Sequence, residues 1–567
     1  MITLYNYSDI TAIPNWGQGF VGSNLMSFQN GSYGVLLANS TVDPVTHDSI
    51  YHNIYLRPIN GISGNEGKIF PLLLLGGSDS YEYTAAQLSN GNIVEIGGGY
   101  QDGEGYHEYM QLFGPDGTTK GSLIDLGQFA AGGVEYPTLT VLSGGGFIVG
   151  WNEYDAGTPD NRWQAMAQVF SNSGAALTGP ISAGGPGDQG PPSVAVLSDT
   201  TFVEAWVDRS SGWAIRAQVF NTNGEAMTDV LNIVSPINNY TQECSVAGLA
   251  NGDFVVTWRL NDTDFDTGVM TNTLLAQVFH ADGTAVDAPL TVDHTESPAD
   301  LFIQVWGNRV ISLPDGRFVV SWQGNDVLDT GEYRNYGLVQ IFEPDGTPAS
   351  VVYSLGENDG FVGGLTIASL PDGRIAATWV HSAADSTSPD LETQILDPRD
   401  HGIDLTGNAL ADQYAGSVYN DTIRGVDGND TLYGNNGNDI MNGGAGDDQL
   451  LGGYGNDSLF GTFGNDFLSG FNGNDRLNGG KGADLVLGGR GHDVFVFAPG
   501  DGADRIKAFV DGQDRIDLTA YGFGHVPAAL RHFADVANGV EFTMGTDSIL
   551  ILGMSLADLT GADLIIH

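Results

Sequence analysis

Cysteine is almost absent from this sequence of 567 residues, since Cys244 is the only one. A lone cysteine excludes an intramolecular disulfide. Proteins that work outside the cell commonly rely on disulfides for rigidity, so an extracellular role requires another source of stiffness here. We expect Cys244, which falls within a β-rich stretch, to pack as a small apolar residue.

Basic residues are also scarce, with 20 Lys and Arg against 69 Asp and Glu, and the formal net charge is −49. Such a surface repels nucleic acid and anionic lipid, so we expect neither as a partner. The same surface attracts cations. A solvated acidic surface explains the charge alone, whereas metal binding requires carboxylates at fixed spacing.

Long apolar runs and a basic N-terminal stretch are missing. No apolar segment approaches the length of a membrane span, and the first Lys or Arg is Arg57. We therefore expect neither a transmembrane segment nor a cleaved signal peptide. The lack of long apolar helical segments also argues against a pore-forming toxin.

Glycine, by contrast, is abundant at 82 residues, and much of it lies in a nine-residue repeat. Ten consecutive units run from Gly407 to Val496, with aspartate at every sixth place and an apolar residue at every eighth. From Gly425 onward the first and fourth places are always glycine, whereas the first two units lack the fourth-place glycine. The sixth-place residues are Asp412, Asp421, Asp430, Asp439, Asp448, Asp457, Asp466, Asp475, Asp484 and Asp493.

A nine-residue period is too short for a unit that contains a helix, and it predicts a turn plus a short strand, stacked as a solenoid. The eighth-place residues then form a thin core, and glycine permits turns with positive φ. We expect the aspartates to form a ladder along one edge, about 4.8 Å apart. Such a ladder repels itself unless hard cations lie between the carboxylates and turn carbonyls, and oxygen ligands without His or Cys favour Ca²⁺.

The units resemble the RTX, or hemolysin-type, calcium-binding repeat GGxGxDxUx. GGAGDDQLL, GGYGNDSLF and GGKGADLVL match this pattern in full. The resemblance implies a parallel β-roll that is largely unfolded without calcium and folds when it binds several Ca²⁺ ions.

Residues 495–523, FVFAPGDGADRIKAFVDGQDRIDLTAYGF, resemble the C-terminal domain that follows the roll in serralysin-type secreted proteins. In that family the extreme C-terminus is an uncleaved type 1 secretion signal, and LADLTGADLIIH at the end of this sequence is similar to it. The resemblance implies that type 1 secretion machinery exports the chain to the extracellular space. Low cytosolic calcium would keep the roll unfolded, and external calcium would fold it.

A longer repeat occupies the first 400 residues. Seven copies of a strand–turn–strand pattern, such as LANGDFVVTW (249–258) and LPDGRFVVSW (313–322), have anchor residues 52–64 positions apart. A third strand such as AMAQVF follows, and many copies add a fourth. Four strands at this period predict a propeller blade, with an array of two-sheet sandwiches as the alternative. The last copy lacks a fourth strand, which we expect MITLYNYSDI at the N-terminus to supply.

Five tryptophans recur in register at strand ends, and this regularity predicts core packing rather than a sugar-binding platform. They are Trp151, Trp206, Trp258, Trp322 and Trp379.

Known catalytic motifs are absent from the sequence. HEYMQ at His107 lacks the second His of HExxH, and neither GxSxG nor GxxxxGK[ST] occurs. Weaker catalytic candidates are Glu82, Glu135 and Glu243, which stand just before inner strands and would gather at one mouth of the propeller channel. There they would bind a cation or support acid–base cleavage of a sugar bond; alternatively, they face solvent or cap strand ends.

The sequence therefore predicts an all-β chain in three parts. Residues 1–402 form a seven-bladed β-propeller, residues 403–497 a parallel β-roll that binds calcium, and residues 498–567 a small β-rich export domain. The function predicted is that of a secreted calcium-binding protein whose propeller recognises an extracellular glycan or surface partner. The alternative is a secreted polysaccharide-degrading enzyme, a lyase or glycoside hydrolase, with its site at the channel mouth.

Overall fold

The computed structural model describes residues 3–7, 20–28, 33–42, 49–59, 70–71, 83–101, 105–115, 117–129, 137–155, 162–184, 188–210, 212–237, 243–264, 269–298, 305–327, 333–355, 361–381, 390–409 and 411–567. Strands dominate these ranges, and the helices are short and lie near the C-terminus. No helix in the described ranges is long and apolar enough to cross a bilayer.

The first 28 strands are β1 (Thr3–Tyr7), β2 (Phe20–Ser27), β3 (Tyr33–Val42), β4 (Ser49–Ile59), β5 (Phe70–Pro71), β6 (Tyr83–Gln87), β7 (Ile93–Gln101), β8 (Gly105–Phe113), β9 (Thr119–Phe129), β10 (Thr138–Val141), β11 (Phe147–Asp155), β12 (Arg162–Phe170), β13 (Ile181–Ser182), β14 (Ser193–Ser198), β15 (Thr201–Asp208), β16 (Trp213–Asn221), β17 (Leu231–Ile237), β18 (Cys244–Gly248), β19 (Phe254–Asp264), β20 (Val269–Phe279), β21 (Leu290–Pro298), β22 (Val305–Ser312), β23 (Phe318–Val327), β24 (Tyr333–Phe342), β25 (Tyr353–Leu355), β26 (Phe361–Ser369), β27 (Ile375–His381) and β28 (Asp390–Asp397).

Within the described ranges these strands form four-stranded antiparallel sheets. Six sheets are each built from four consecutive strands, from β2–β5 to β22–β25. A further sheet has the order β1-β28-β27-β26, so the N-terminal strand supplies its fourth strand, as predicted. The first strands contact one another in the order β2, β6, β10, β14, β18, β22, β26 and back to β2. This cyclic arrangement is that of a propeller, as predicted.

Aromatic pairs join the second and third strands within several of these sheets. In four sheets the anchor phenylalanine of the second strand stacks on a phenylalanine of the third, with ring centroids 5.2–5.4 Å apart. The five tryptophans in register are at most 3% exposed, which confirms that they belong to the core. Cys244 packs, partly buried, against the cluster that contains Trp258.

A glutamine on the third strand of four sheets fixes the turn that follows that strand. Each side-chain amide donates a hydrogen bond to a main-chain carbonyl ten residues later. The bonds run from Gln168 to Thr178 (2.6 Å), Gln218 to Thr228 (2.9 Å), Gln277 to Asp287 (2.6 Å) and Gln340 to Ser350 (3.0 Å). This repeated glutamine is therefore a structural feature of the propeller.

The roll consists of β29 (Asp404–Thr406), β30 (Gln413–Ala415), β31 (Thr422–Asp427), β32 (Thr431–Asn436), β33 (Ile440–Ala445), β34 (Gln449–Tyr454), β35 (Ser458–Phe463), β36 (Phe467–Asn472), β37 (Arg476–Lys481), β38 (Leu485–Arg490) and β39 (Val494–Val496). Odd-numbered strands pair in parallel in one sheet and even-numbered strands in the other, with partners 18 residues apart. All ten eighth-place residues are at most 2% exposed and lie between the sheets.

This topology corrects the expectation of a single aspartate ladder along one edge. Nine residues complete only half a coil, so consecutive units alternate between the two sheets. The aspartates consequently form two columns, each with a period of 18 residues.

The C-terminal segment continues both sheets of the roll. It contains β40 (Ala503–Lys507), β41 (Arg515–Asp517), β42 (Phe533–Val536), β43 (Gly539–Met544), β44 (Asp547–Leu552), β45 (Leu564–Ile565), one α-helix, α1 (Val526–Leu530), and two short 3-10 helices. Strand β40 pairs in parallel with β38, and β41 with β39. Its apolar residues join the same buried cluster as the eighth-place residues.

Arg399 joins the propeller to the roll. Its guanidinium makes two hydrogen bonds of 2.7 Å to the Asp397 carboxylate, at the end of β28. It also donates to the carbonyl oxygens of Ala415 (2.5 Å) and Gly416 (2.8 Å) at the start of the roll. Because the Arg399 side chain is only 3% exposed, these bonds fix the junction in a protected setting.

Candidate metal centre

The sixth-place aspartates are buried, at 0–2% exposure, and from Asp421 onward each is held by the main chain of the preceding coil. From Asp430 to Asp493, Oδ1 accepts the N–H of the aspartate 18 residues earlier, at 2.8–2.9 Å. Each residue is thereby both a donor through its main chain and an acceptor through its side chain. The two columns are therefore continuous chains of hydrogen bonds.

The second carboxylate oxygen distinguishes eight of the aspartates from the other two. Oδ2 is buried without a hydrogen-bond partner in Asp430, Asp439, Asp448, Asp457, Asp466, Asp475, Asp484 and Asp493. In Asp412 it accepts the N–H of Asn408 (2.7 Å), and in Asp421 that of Ser417 (2.6 Å). These two belong to the units that lack the fourth-place glycine. An orphaned anionic oxygen in a buried position is costly unless a cation joins it.

Main-chain oxygens converge on the same place. A Cβ added to first-place Gly425 would collide with Asp430 Oδ2 and with the carbonyl oxygen of Gly443, and Gly434 shows the same pattern with Asp439 Oδ2 and Gly452. Glycine is therefore required there, because the space beside its α-carbon is taken by oxygen atoms. A donor set of carboxylate and carbonyl oxygens is the kind that Ca²⁺ prefers.

Burial raises the pKa of these carboxyl groups. The pKa is about 7 for Asp430 and about 8 for Asp439, with burial as the largest cause. The N–H bond from the preceding coil opposes the rise, and the neighbouring carboxylates of the same column add to it. Without a cation, burial therefore shifts these carboxyl groups toward their protonated form, and a divalent ion would compete with these protons.

Groups of three or more His, Cys, Asp or Glu side chains suited to a metal are absent from the described ranges. Each coil contributes one sixth-place carboxylate to each column. Any site in the roll must therefore use main-chain oxygens as well, in agreement with the convergence at the first-place glycines.

The fifth-place residues form an additional ladder that the sequence analysis missed. The Asn438 side-chain oxygen accepts the N–H of Asn456 (2.7 Å), and that of Asn456 accepts the N–H of Asn474 (2.7 Å). These bonds point toward later coils, opposite to those of the sixth-place aspartates. The recurrence of asparagine at the fifth place was the available signal.

Both columns extend past the nonapeptides, which the sequence analysis also missed. Asp504 Oδ1 accepts the N–H of Asp484 (3.1 Å), and Asp514 Oδ1 accepts that of Asp493 (3.0 Å). The spacings are 20 and 21 residues because the connecting turns are longer. The signal was the phrase GxDRI in GADRI and GQDRI, which keeps the fourth, sixth and eighth places of the repeat.

Of the three candidate glutamates at the channel mouth, Glu243 lies in the described part of the chain. Glu82 and Glu135 lie outside the described residues. Glu243 is exposed, and its Oε2 accepts the N–H of Gly307 (3.2 Å) at the next sheet. The structure therefore gives Glu243 a strand-capping bond.

Two other glutamates have the more perturbed environments. Glu108 and Glu204 are fully buried in the propeller with both carboxylate oxygens unpartnered, and burial raises the pKa of each to about 8. Both lie on strands of the propeller, β8 and β15. Burial therefore favours the neutral form of both carboxyl groups.

The nonapeptide geometry agrees with a known repeat family. The family model of the RTX calcium-binding nonapeptide repeat matches residues 415–450, 451–486 and 469–506. These residues are RTX calcium-binding repeats. The orphaned oxygens and the glycine positions of the roll therefore occur within repeats whose family binds calcium.

Solved structures resemble separate parts of the chain. The AlgE6R3 subunit of the Azotobacter vinelandii mannuronan C5-epimerase is 31% identical over 22% of this chain and 80% of that chain, with a TM-score of 0.20. A Dyadobacter fermentans protein of unknown function (12% identity, 70% and 99% coverage, TM-score 0.39) and a PL25 polysaccharide lyase, an ulvan lyase (12%, 66% and 94%, 0.38), also match. With scores this low, these matches carry no information about the activity of this chain. A comparison with curated proteins found no match.

Proposed function

We propose that this chain is an exported calcium-binding protein whose RTX roll folds on binding Ca²⁺ and whose propeller recognises an extracellular glycan or surface partner. The observation that supports calcium binding best is the set of eight orphaned Oδ2 atoms between Asp430 and Asp493. These aspartates, together with first-place carbonyl oxygens, would hold the ions. Bound Ca²⁺ would supply positive charge that neutralises the buried carboxylates.

The two earliest aspartates have a different role in this proposal. The carboxylate of Asp412 already accepts at least two hydrogen bonds and that of Asp421 three, and in each case one of them reaches Oδ2 from the main chain. We therefore expect them to close the N-terminal end of the columns. Calcium binding would begin at Asp430, where glycine first occupies the fourth place.

Seven four-stranded sheets are described, and we propose that each is one blade of the propeller.

The segment after residue 498 would act as the serralysin-like export domain, recognised by type 1 secretion machinery. Its shared core with the roll supports a joint folding step after export. To test secretion, the full chain and a variant that lacks residues 498–567 are each expressed together with a type 1 export system, and the amount of each in the medium is measured. Retention of both proteins in the cell would contradict the proposed export role.

Glycan recognition by the propeller is tested by incubating the calcium-loaded chain with an array of glycans and bacterial exopolysaccharides. Retention without release of new sugar ends would support the binding function. Release of reducing or unsaturated ends would show the alternative, a polysaccharide-degrading enzyme. In that case a variant with Glu82, Glu135 and Glu243 all changed to Gln should lose turnover and keep its fold. Absence of both retention and release would contradict glycan recognition and leave a protein partner.

A further inference from the structure

One face of the roll carries an aromatic groove that the calcium columns do not explain. It lies on the sheet of even-numbered strands, across β32, β34 and β36. In register, Gly453 lies between Asn435 and Phe471, and the next residue, Tyr454, lies between Asn436 and Asn472. Neighbouring parallel strands are about 4.8 Å apart, so these residues form two rows across the strands. The residues of both rows line one depression.

The groove exists because a glycine interrupts the first row. Gly453 has no side chain, while Phe471 stands beside it on the next coil and Tyr454 beside it along the strand. The resulting depression has a volume of about 460 Å³, and Tyr433 also lines it. Tyr454 is 65% exposed and Phe471 is 47% exposed. Two large aromatic rings therefore flank an open, concave surface.

The position of Phe471 is unusual for a large side chain. It occupies the second place of its unit, where glycine is frequent, and its φ is +69°. Val426 and Thr462 adopt positive φ at the same place on the other sheet, so the conformation alone does not mark a site. An exposed ring that is held in this costly conformation gains nothing from core packing, which points to a role at the surface.

The aromatic residue on the opposite sheet provides a contrast. Phe463 is 51% exposed, but the ammonium of Lys481 lies 5.2 Å from its ring centroid. Tyr454 and Phe471 make no ring or cation contact in the part of the chain that the structure describes. The side-chain amides of Asn436 and Asn472 likewise make no hydrogen bond there. The groove therefore offers free ring faces and free amide groups together.

We propose that this groove binds a neutral oligosaccharide. The weakly polar C–H face of a sugar ring packs on an aromatic face, and amides at the sides of Tyr454 supply donors and acceptors for hydroxyl groups. Polyanionic ligands are disfavoured because the chain carries a net charge of −49. The carboxylate at the propeller end of the groove, Asp397, is neutralised by Arg399.

This site is separate from any glycan site of the propeller, and it exists only when the roll is folded. It therefore rests on the calcium-dependent folding proposed above. The junction at Arg399 keeps the groove next to the propeller. A polymer that binds at both places gains affinity through the higher effective concentration of the second site.

The test is isothermal titration of the calcium-loaded full chain with cellohexaose, laminarihexaose and maltohexaose. Tyr454→Ala and Phe471→Gly are the test variants, and Phe463→Ala is the matched control on the opposite sheet. Phe471→Gly restores the residue that other units have at this place, so it removes the ring without harming the fold. Far-UV circular dichroism in calcium confirms folding of every variant.

We expect at least one hexasaccharide to bind the wild-type chain in calcium and not in EDTA. Loss of one ring should weaken binding about tenfold in either test variant, and the control should bind as the wild type does. Binding that survives both test variants would overturn the groove and place the sugar on the propeller, with the proposed function intact. Failure of all three sugars to bind, preference for polygalacturonate, or a dimer that Tyr454→Ala dissociates would also overturn it.

Discussion

Replacement of Asp457, in the middle of one column, separates its two functions. Oδ1 accepts the N–H of Asp439 at 2.9 Å, whereas Oδ2 has no partner in the protein. Asp457→Asn keeps an acceptor for the N–H but removes the charge and brings amide protons toward the carbonyl oxygens. Asp457→Ala removes both functions. Asp457→Ala should therefore weaken calcium-dependent folding of the roll more than Asp457→Asn does.

The size of the effect follows from these contacts. A hydrogen bond to a charged group contributes about 1.5–3 kcal/mol, and we take the lost carboxylate contact with the cation to be at least this large. If about four ions bind in the same transition, this loss raises the calcium concentration at the midpoint of folding about two- to fourfold. Asp457→Ala should destabilise the calcium-bound roll by about 1 kcal/mol more than Asp457→Asn, because it also loses the neutral hydrogen bond that asparagine retains.

Circular dichroism during a calcium titration measures this midpoint for the roll. All nine tryptophans precede residue 403, so tryptophan fluorescence follows the propeller separately. Asp427→Asn is the matched control, because Asp427 is exposed at the third place and the charge change is identical. A midpoint for Asp457→Asn equal to that of the control would refute the ligand role of Oδ2.

Three further results are expected. In EDTA the roll should gain structure as pH falls from about 8 to about 4. The pKa of several sixth-place aspartates is higher in the folded roll than in the unfolded chain, so protonation stabilises the folded form. A circular dichroism signal that stays constant over this range would contradict this expectation. Arg399→Ala should destabilise the junction by about 3–5 kcal/mol because it leaves the Asp397 carboxylate without its partner, whereas Arg424→Ala at an exposed site should cost about 0–1 kcal/mol. Calorimetry of Arg399→Ala should then show separate unfolding transitions for the propeller and the roll, and a single unchanged transition would contradict this prediction. Glu204→Gln should raise the melting temperature measured by tryptophan fluorescence by several degrees at pH 9 and change it little at pH 5, because burial raises the pKa of Glu204 to about 8. Equal effects at both pH values would show that burial does not raise the pKa of this carboxyl group.

The sequence predicted the features that repeat with a fixed period. Apolar residues at every eighth place could only form a shared core, and all ten are buried. The blade anchors and tryptophans recur at constant positions within their units, and the anchors from Ile93 to Ile375 and the five tryptophans are buried as expected. The N-terminal strand was predictable because the last repeat was one strand short, and β1 does pair with β28.

Features that depend on how units meet in space were not predictable from the period. A nine-residue repeat does not state how many units complete a coil, so the two columns were missed. Asp504 and Asp514 fell outside the count because longer turns interrupt the spacing. The burial of Glu108 and Glu204 depends on the neighbouring sheet, about which a single blade sequence carries no information.

The first two repeat units resemble the later units in sequence but differ from them in the hydrogen bonds of their aspartates. The sequence placed Asp412 and Asp421 with the other aspartates because all ten share the sixth place. In the structure, main-chain donors at Asn408 and Ser417 satisfy their second oxygens. The missing fourth-place glycine was the visible difference, but its consequence required the three-dimensional arrangement.

The central claim is that the two columns of the roll hold calcium. Elemental analysis of the full chain, after gel filtration in buffer with calcium and then in buffer without free metal, measures the bound ions directly. The account predicts several calcium ions per chain, fewer when alternate aspartates from Asp430 to Asp484 are changed to asparagine, and no comparable uptake of magnesium. A chain that retains no calcium, or the same number in that variant, would contradict it.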